Sequence, residues 1–327
     1  MKKIFFSFIF CCLFVIGAEV PEYSCYQITE VPIIDGKIEE SIWSTIPTAT
    51  GFYILGREEY ALEKQTYFKA GWNKKYLYIA ITAEEPAVEK ITAKLSDKNS
   101  SLWMEDSIEL FIFPKKGDNY LQFVVNAIGS RWIAIELGGS TQSLWNWQAK
   151  TYFGENYWSL EIEIPFDILG KIPENGEKWS VNIARNILTG PSKERYTCWP
   201  PLQNGFNDIS NFGFFIFKEG QISLDESKNL ERKINISYYN SLKEKIYKIA
   251  SCFSEYKDII NKAIGTSKFK KEGLDLKEIW MLVEDISKKG EASIEEYRFV
   301  LSRSNNLIER SENLKTQILL ESLFKEE

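Results

Sequence analysis

From Tyr26 to Phe217 apolar and polar residues alternate in short runs. The runs are "TYFKAGWN", "KKYLYIAITAEEP", "SIELFIFP", "YLQFVVNAIGS", "RWIAIELGG", "YWSLEIEIP", "KWSVNIARN" and "FGFFIF". They are rich in the β-branched and aromatic residues that suit a pleated surface. Between them "NKK", "KKGDN", "IGS" and "FGEN" supply the Asn, Asp and Gly of tight reversals. This spacing predicts a mainly β domain, an antiparallel two-sheet β-sandwich. In "WSLEIEIP", Leu160, Ile162 and Ile164 point one way and Ser159, Glu161 and Glu163 the other, a strand with one wet face. In "DSIELFIF" both faces are apolar except at Glu109, which predicts a central strand with a carboxylate inside it.

Beyond residue 217 the pattern changes. Residues 218–233 are a polar, charged connector, after which Leu242, Ile246, Ile249, Phe253, Tyr256, Ile260 and Ala263 recur at helical spacing. Gly265 is a stop signal. A second helix is predicted over 275–289, and a third from Ser293, whose Glu296 completes a capping box. The predicted organisation is a signal peptide over 1–18, the sandwich over 19–219, a linker over 220–233, and an α-helical hairpin or three-helix bundle over 234–327. The helical tail serves as a spacer or as an oligomerisation or docking element; its seam does not say whether it packs within the chain or between chains.

Lys2 and Lys3 precede an apolar block ending near Gly17 and Ala18, the layout of a secretory signal cleaved near Ala18. A secreted, periplasmic or cell-envelope protein is therefore expected, with no membrane span in the mature chain. Without Lys2 and Lys3, 38 basic residues face 46 acidic ones, a net charge of −8 that disfavours nucleic acid as a partner. Cys25, Cys198 and Cys252 remain after processing, and one disulfide plus a leftover thiol is the simplest count; the sequence does not give the pairing, for which Cys25 with Cys198, flanking one domain, is the expectation. The chain has no histidine. That removes Ser-His-Asp and Cys-His catalysis and histidine-ligated zinc.

The β region resembles the family 9 carbohydrate-binding modules. The resemblance begins at "IDGKIEESIW" and continues through "FKAGWNKKYLYIAITAEEP", where Asn73 replaces the usual aspartate. "WMEDSIELFIFP", "YLQFVVNAIG", "YWSLEIEIPFDIL", "WSVNIARN" and "CWPP" before "NFGFFIF" follow in the family's order, so that the likeness covers about residues 26–217. It implies a β-sandwich that commonly carries structural calcium and holds a sugar or oligosaccharide between two tryptophan rings. By motif position Trp103 is the first ring, Glu109 a hydroxyl-binding carboxylate and Trp199 the second ring. Val124 stands where the family's strong binders have arginine.

The chemistry is that of a neutral polyol. Indole rings cover the apolar faces of a sugar while a carboxylate accepts from hydroxyls at its edge. Asn126 and Arg185 are candidates for the polar edge, and Trp145 or Trp147 an alternate ring; Trp43, Trp72, Trp158 and Trp179 are assigned to packing. The competing structural role for Glu109 is an ion pair with Arg131 or Arg185. A glycoside hydrolase would draw its two carboxylates from Glu105, Asp106, Glu109, Glu161 and Glu163, and haem binding would use Met104. The other rival is an envelope interaction protein that keeps the sandwich without the sugar site. Calcium is compatible with loops such as "KKGDN" and "NGFNDIS", with no ligands assigned. The expected function is non-catalytic carbohydrate binding.

Overall fold

The computed structural model describes residues 20–99, 101–114, 119–135, 142–189 and 193–323. The segment read as a signal peptide and most of the "KKGDN" loop lie outside them. The strands are β1 (Glu22–Gln27), β2 (Tyr53–Ile54), β3 (Thr66–Trp72), β4 (Tyr76–Glu84), β5 (Ser107–Phe113) and β6 (Leu121–Asn126). They continue as β7 (Arg131–Ile135), β8 (Gln148–Phe153), β9 (Tyr157–Pro165), β10 (Lys178–Asn186), β11 (Tyr196–Cys198) and β12 (Gly213–Lys218). Hydrogen bonds join them in the order β7-β6-β5-β10-β12-β1-β3-β4-β9-β8, with β11 on β10 and β2 on β11.

The fold is mostly β and curls round one core. The two expected layers are not separate sheets, because β1 pairs in parallel with both β12 and β3 and carries the ladder from one layer to the other. Inward-facing residues of both layers fill the space between: Trp43, Trp72, Trp158 and Trp179 are all buried there with Phe68, Phe215 and Phe217. A smaller apolar cluster, Phe111, Ala184, Cys198, Leu202 and Phe212, lies on the opposite side of β5 and β10. Cys25 belongs to the first cluster and Cys198 to the second, and both are free thiols. The expected disulfide is absent because the sheet itself separates the two.

The face of β9 predicted to be wet is covered. The chain from Ile33 to Pro47, including helix α1 (Ser41–Thr45), crosses it, leaving Ser159 and Glu161 buried. Glu161 Oε2 accepts from the backbone N–H groups of Asp35 (3.1 Å) and Gly36 (2.9 Å), and Oε1 from Trp43 Nε1 (2.9 Å). Gly36 is required: at φ +91° its absent side chain would fall 2.4 Å from the backbone of Thr151. The "DGKIEESIW" motif is thus a clasp closed on one carboxylate.

Helix α2 (Phe166–Leu169) follows β9. The tail holds α3 (Leu224–Ile234), α4 (Ile236–Ser251), α5 (Phe253–Ile264), α6 (Lys270–Lys288), α7 (Ile294–Arg303) and α8 (Leu307–Leu323), more helices than a hairpin or three-helix bundle requires. The expected linker is mostly α3, started by a Ser223–Glu226 capping box. The long helical seam is interrupted at Cys252, and it closes within the chain around Trp280, which stacks on Phe253 at 5.1 Å and Tyr256 at 5.8 Å. The bundle grips the loop before β3, where Glu231 accepts from Thr48 N–H and Asn235 bonds Thr50 N–H and Thr48 carbonyl, and the end of β4, where Arg298 meets Glu84 at 2.5 Å. No helix among the described residues is long and apolar enough to cross a membrane.

Burial raises the Glu161 carboxyl to about 7, against the lowering effect of its three N–H donors, and nearby Glu40 raises it further. The folded chain then holds a proton that the unfolded chain releases near 4.5. Stability should fall as pH rises between those values and level off above them. With no histidine the window is otherwise quiet, although Glu109 and Glu194 are raised in the same sense. Thermal melts from about pH 5 to about pH 8 should show this decline. Glu161→Gln should lower the midpoint and flatten the slope by one proton's share; an unchanged slope refutes the assignment.

Candidate functional site

Pairing register decides which residues share a face. Glu109 lies opposite Val124 on β6 and Ala184 on β10, so Ser107, Glu109 and Phe111 share one face with Gln122, Val124 and Asn126 and with Asn182, Ala184 and Asn186. On β11, Tyr196 stands beside Asn186, and on β7, Trp132 stands beside Val124. This is the outer face of the β7-β6-β5-β10 layer, away from the main core.

Glu109 is its polar centre. The side chain is only 5% exposed, and each oxygen accepts from a carboxamide: Oε2 from Gln122 Nε2 and Oε1 from Asn186 Nδ2, both at 2.7 Å. Asn186 Nδ2 also reaches Ser107 Oγ at 3.1 Å. Burial pushes the carboxyl up from its ordinary value, and the amides of Asn186 and Gln122 oppose that push. Neither arginine considered as a partner takes this place. Arg131 bonds the Trp147 carbonyl, stacks over the Trp147 ring at 5.3 Å and meets Asp97 at 3.5 Å.

Arg185 lies on the other side of β10. It is fully buried, donating to the Glu84 carbonyl at 2.7 Å and lying 3.7 Å from Glu85, and burial lowers it to about 10 against the pull of Glu85 and Asp106. It pins the two layers together and does not reach the Glu109 face. Asn126 is also structural: its amide donates to the Leu95 carbonyl and Glu105, and its oxygen accepts from Ser130 N–H. Glu105 further accepts from the N–H groups of Lys94 and Leu95, and Asp106 from Thr92 N–H, Leu188 N–H and Thr189 Oγ1. The acidic cluster beside Trp103 therefore staples loops. Glu161 and Glu163 lie on the far layer, so these carboxylates do not converge on one cleft.

The two expected rings have opposite surroundings. Trp103, on a 3-10 turn (Leu102–Met104) set against β5 and β6, is 47% exposed. Trp199 is 2% exposed, its ring edge-on to Phe68 at 5.0 Å and tilted against Phe215 at 6.2 Å. It steps from β11 into the core because Cys198 before it already occupies the outer face, and it is packing, not a ligand ring. Its remaining edge lines a 540 Å³ cavity beneath the bundle, with Tyr53, Tyr60 and Tyr238. The exposed ring on that side of the face is Tyr196, 40% exposed and edge-on to Phe206 at 6.2 Å. Sequence reasoning missed Tyr196, Gln122 and Asn186. Even-number spacing from Glu109 and its strand partners would have singled out the two amides, had the register been known. Trp145, the alternate ring, packs against Trp132 at 5.9 Å with Lys98 Nζ 5.2 Å from its own ring.

Among the described residues, the carboxylates spaced to hold a cation are those of Asp35, Glu40 and Glu161. They do not fit calcium. Glu161 already accepts three N–H bonds and Asp35 one from Lys37, so the set falls well short of six or more oxygen ligands.

A mostly β domain that curls round one core is the fold in which these residues are set. The profile described as "Carbohydrate family 9 binding domain-like" matches residues 34–220, and the chain belongs to that family. It is 24% identical over 213 residues to endo-1,4-beta-xylanase A of Thermoanaerobacterium saccharolyticum, covering 61% of this chain and 17% of that one. It is 26% identical over 191 residues to endo-1,4-beta-xylanase A of Thermotoga maritima, covering 56% of this chain and 16% of the enzyme. The chain therefore spans about a sixth of those relatives. A putative carbohydrate-binding protein from Bacteroides uniformis superimposes with TM-score 0.51 at 16% identity, over 61% of this chain and all of its own. A family 9 module from Caldicellulosiruptor kristjanssonii in complex with cellotriose gives 0.46 at 19% identity, over 61% of this chain and 95% of the module.

Two substitutions separate core from face. Trp199→Ala should cost about 3–5 kcal/mol in urea unfolding, and Trp103→Ala no more than about 0.5 kcal/mol. Equal costs would mean that one of the two rings is wrongly placed.

Proposed function

We propose that this chain is a non-catalytic carbohydrate-binding protein acting outside the cytoplasm, and that sugar is held on the outer face of β5, β6, β10 and β11. The observation that carries the reading is Glu109, fixed between two carboxamides on a face where Tyr196 stands beside Asn186, with the exposed Trp103 on the turn that packs against β5 and β6. A neutral sugar needs apolar ring surface plus a few fixed donors and acceptors, and an anionic ligand would need a cation that this floor lacks. Glu109 is the acceptor for hydroxyls, while Gln122 and Asn186 orient it and offer amide groups to the same ligand. Trp103 and Tyr196 are the rings, Tyr196 serving in the place first given to Trp199. Val124 leaves the floor without a cation, which suits neutral hydroxyls more than uronates. The relatives are xylanases, and a solved module of the family was obtained with cellotriose, which supports xylo- and cello-saccharides as ligands. Export is supported by the basic and apolar layout of residues 2–18.

Calorimetric titration of the full chain with xylose, xylotriose, glucose and cellotriose tests the reading. Saccharide binding should weaken at least about tenfold in Trp103→Ala and in Tyr196→Ala, a loss of ~1.4 kcal/mol, and vanish in Glu109→Ala. Binding that survives all three removes this face as the site. Failure of the intact protein to bind any of them favours an interaction protein that retains only the fold.

A further inference from the structure

The Glu109 face does not stop at Trp132. Glu109, Val124 and Trp132 form one cross-strand row, and strands lie about 4.8 Å apart, so Trp132 stands about 10 Å along the layer from Glu109. The Trp132 ring then meets the Trp145 ring at 5.9 Å. Trp145 opens onto a 430 Å³ groove between the two edge strands β7 and β8, lined also by Arg131, Asn146, Gln148, Glu163 and Tyr76. Aromatic surface therefore turns the corner of the sandwich, from the proposed site into the groove.

The groove is built from fixed polar groups. Arg131 is tied to the Trp147 carbonyl and to Asp97, and Gln148 Nε2 donates to Glu163 Oε1 at 3.0 Å. The buried Trp147 lines the groove, and its Nε1 has no hydrogen-bond partner among the described residues. Lys98, at φ +67°, brings its ammonium 5.2 Å from the Trp145 ring. Lys98 is exposed, where such a contact is weak and readily exchanged for another partner. The ionisable lining residues, Arg131 and Lys150 against Asp97 and Glu163, carry equal numbers of each sign. A groove of this size with an aromatic wall, amide groups and no net charge suits a neutral, hydroxyl-rich ligand.

We infer that the β7–β8 groove is a further saccharide subsite centred on Trp145, so that the ligand is an oligosaccharide laid from Glu109 across Trp132 and into the groove. The inference rests on the carbohydrate reading of the Glu109 face and adds to it the length and direction of the chain. Trp145 is the second stacking platform, Asn146 and Gln148 bind hydroxyls, and Arg131 holds the wall in place.

The test is calorimetry on the full chain with glucose and cellohexaose, and with xylose and xylohexaose. In whichever series binds, the hexasaccharide should bind at least about tenfold more tightly than the monosaccharide. Trp145→Ala should erase that gain and leave monosaccharide affinity unchanged, with circular dichroism confirming the fold. Asn146→Ala, at an exposed position, should reduce the gain severalfold without touching stability. Monosaccharide binding with no gain on lengthening, or a gain that persists in both variants, overturns the subsite and leaves the Glu109 site standing. No binding of any of the four sugars by the intact chain overturns both.

Discussion

Buried carboxylates held by N–H donors are the interaction on which the β domain depends. Glu161 closes the amino-terminal clasp over β9, Asp106 ties the loops around Thr92 and Leu188, and Glu105 holds residues 94 and 95 to Asn126. Glu194 does the same for the backbone of residues 62–64. A carboxylate taken from water must be compensated, and backbone amides at loop ends need acceptors, so one group satisfies several orphaned donors at once. Loops so fixed give the outer face a defined rim. Glu109 differs in kind: its donors are side-chain amides on neighbouring strands, which a hydroxyl-bearing ligand is able to share.

Much of the fold was legible because strand alternation survives in single sequences. The β runs, the central position of β5, the inward tryptophans at 43, 72, 158 and 179, and the helical tail all follow from period and composition. The faces were less legible. Asn186 and Arg185 are adjacent, and only the pairing of Ala184 with Glu109 decides that Asn186 joins the Glu109 face while Arg185 turns into the interior. Cys198 and Trp199 present the same ambiguity at the end of a strand of three residues, too short for alternation to reveal its buried side. The wet face of β9 was misjudged because its cover comes from a segment more than a hundred residues earlier. Helix α3 was visible in principle, since Ser223 and Glu226 form a capping box; the polarity of the stretch concealed it.

The helical bundle and the sheet are joined by polar contacts at defined points. Arg298 donates to both oxygens of Glu84 and to Tyr67. Burial alone would raise the Glu84 carboxyl, but Arg298, Gln65 N–H and Tyr67 outweigh it and hold it below the usual value. Tyr238 fills the space over Gly51, where any side chain would collide with its Cβ. A seam that sequence left undecided between partners is thereby occupied within the chain, and the loop from Thr48 to Gln65 is fixed from above by helices as well as from below by β3.

Rigidity of this kind bears on recognition. Arg185 joins the backbone carbonyl of Glu84, next to the Arg298 contact, to β10 one residue before Asn186. The strand that presents Asn186 to Glu109 is thus pinned from behind by a buried guanidinium that shares Glu85 with Lys64, which meets the same carboxylate at 2.7 Å. In the proposed site a ligand would meet Glu109, Gln122 and Asn186 already in their bonded geometry, so that little would be lost to ordering of the protein. Specificity should then depend on which hydroxyls reach the fixed acceptor, and affinity on how much ring surface the flanking aromatics cover.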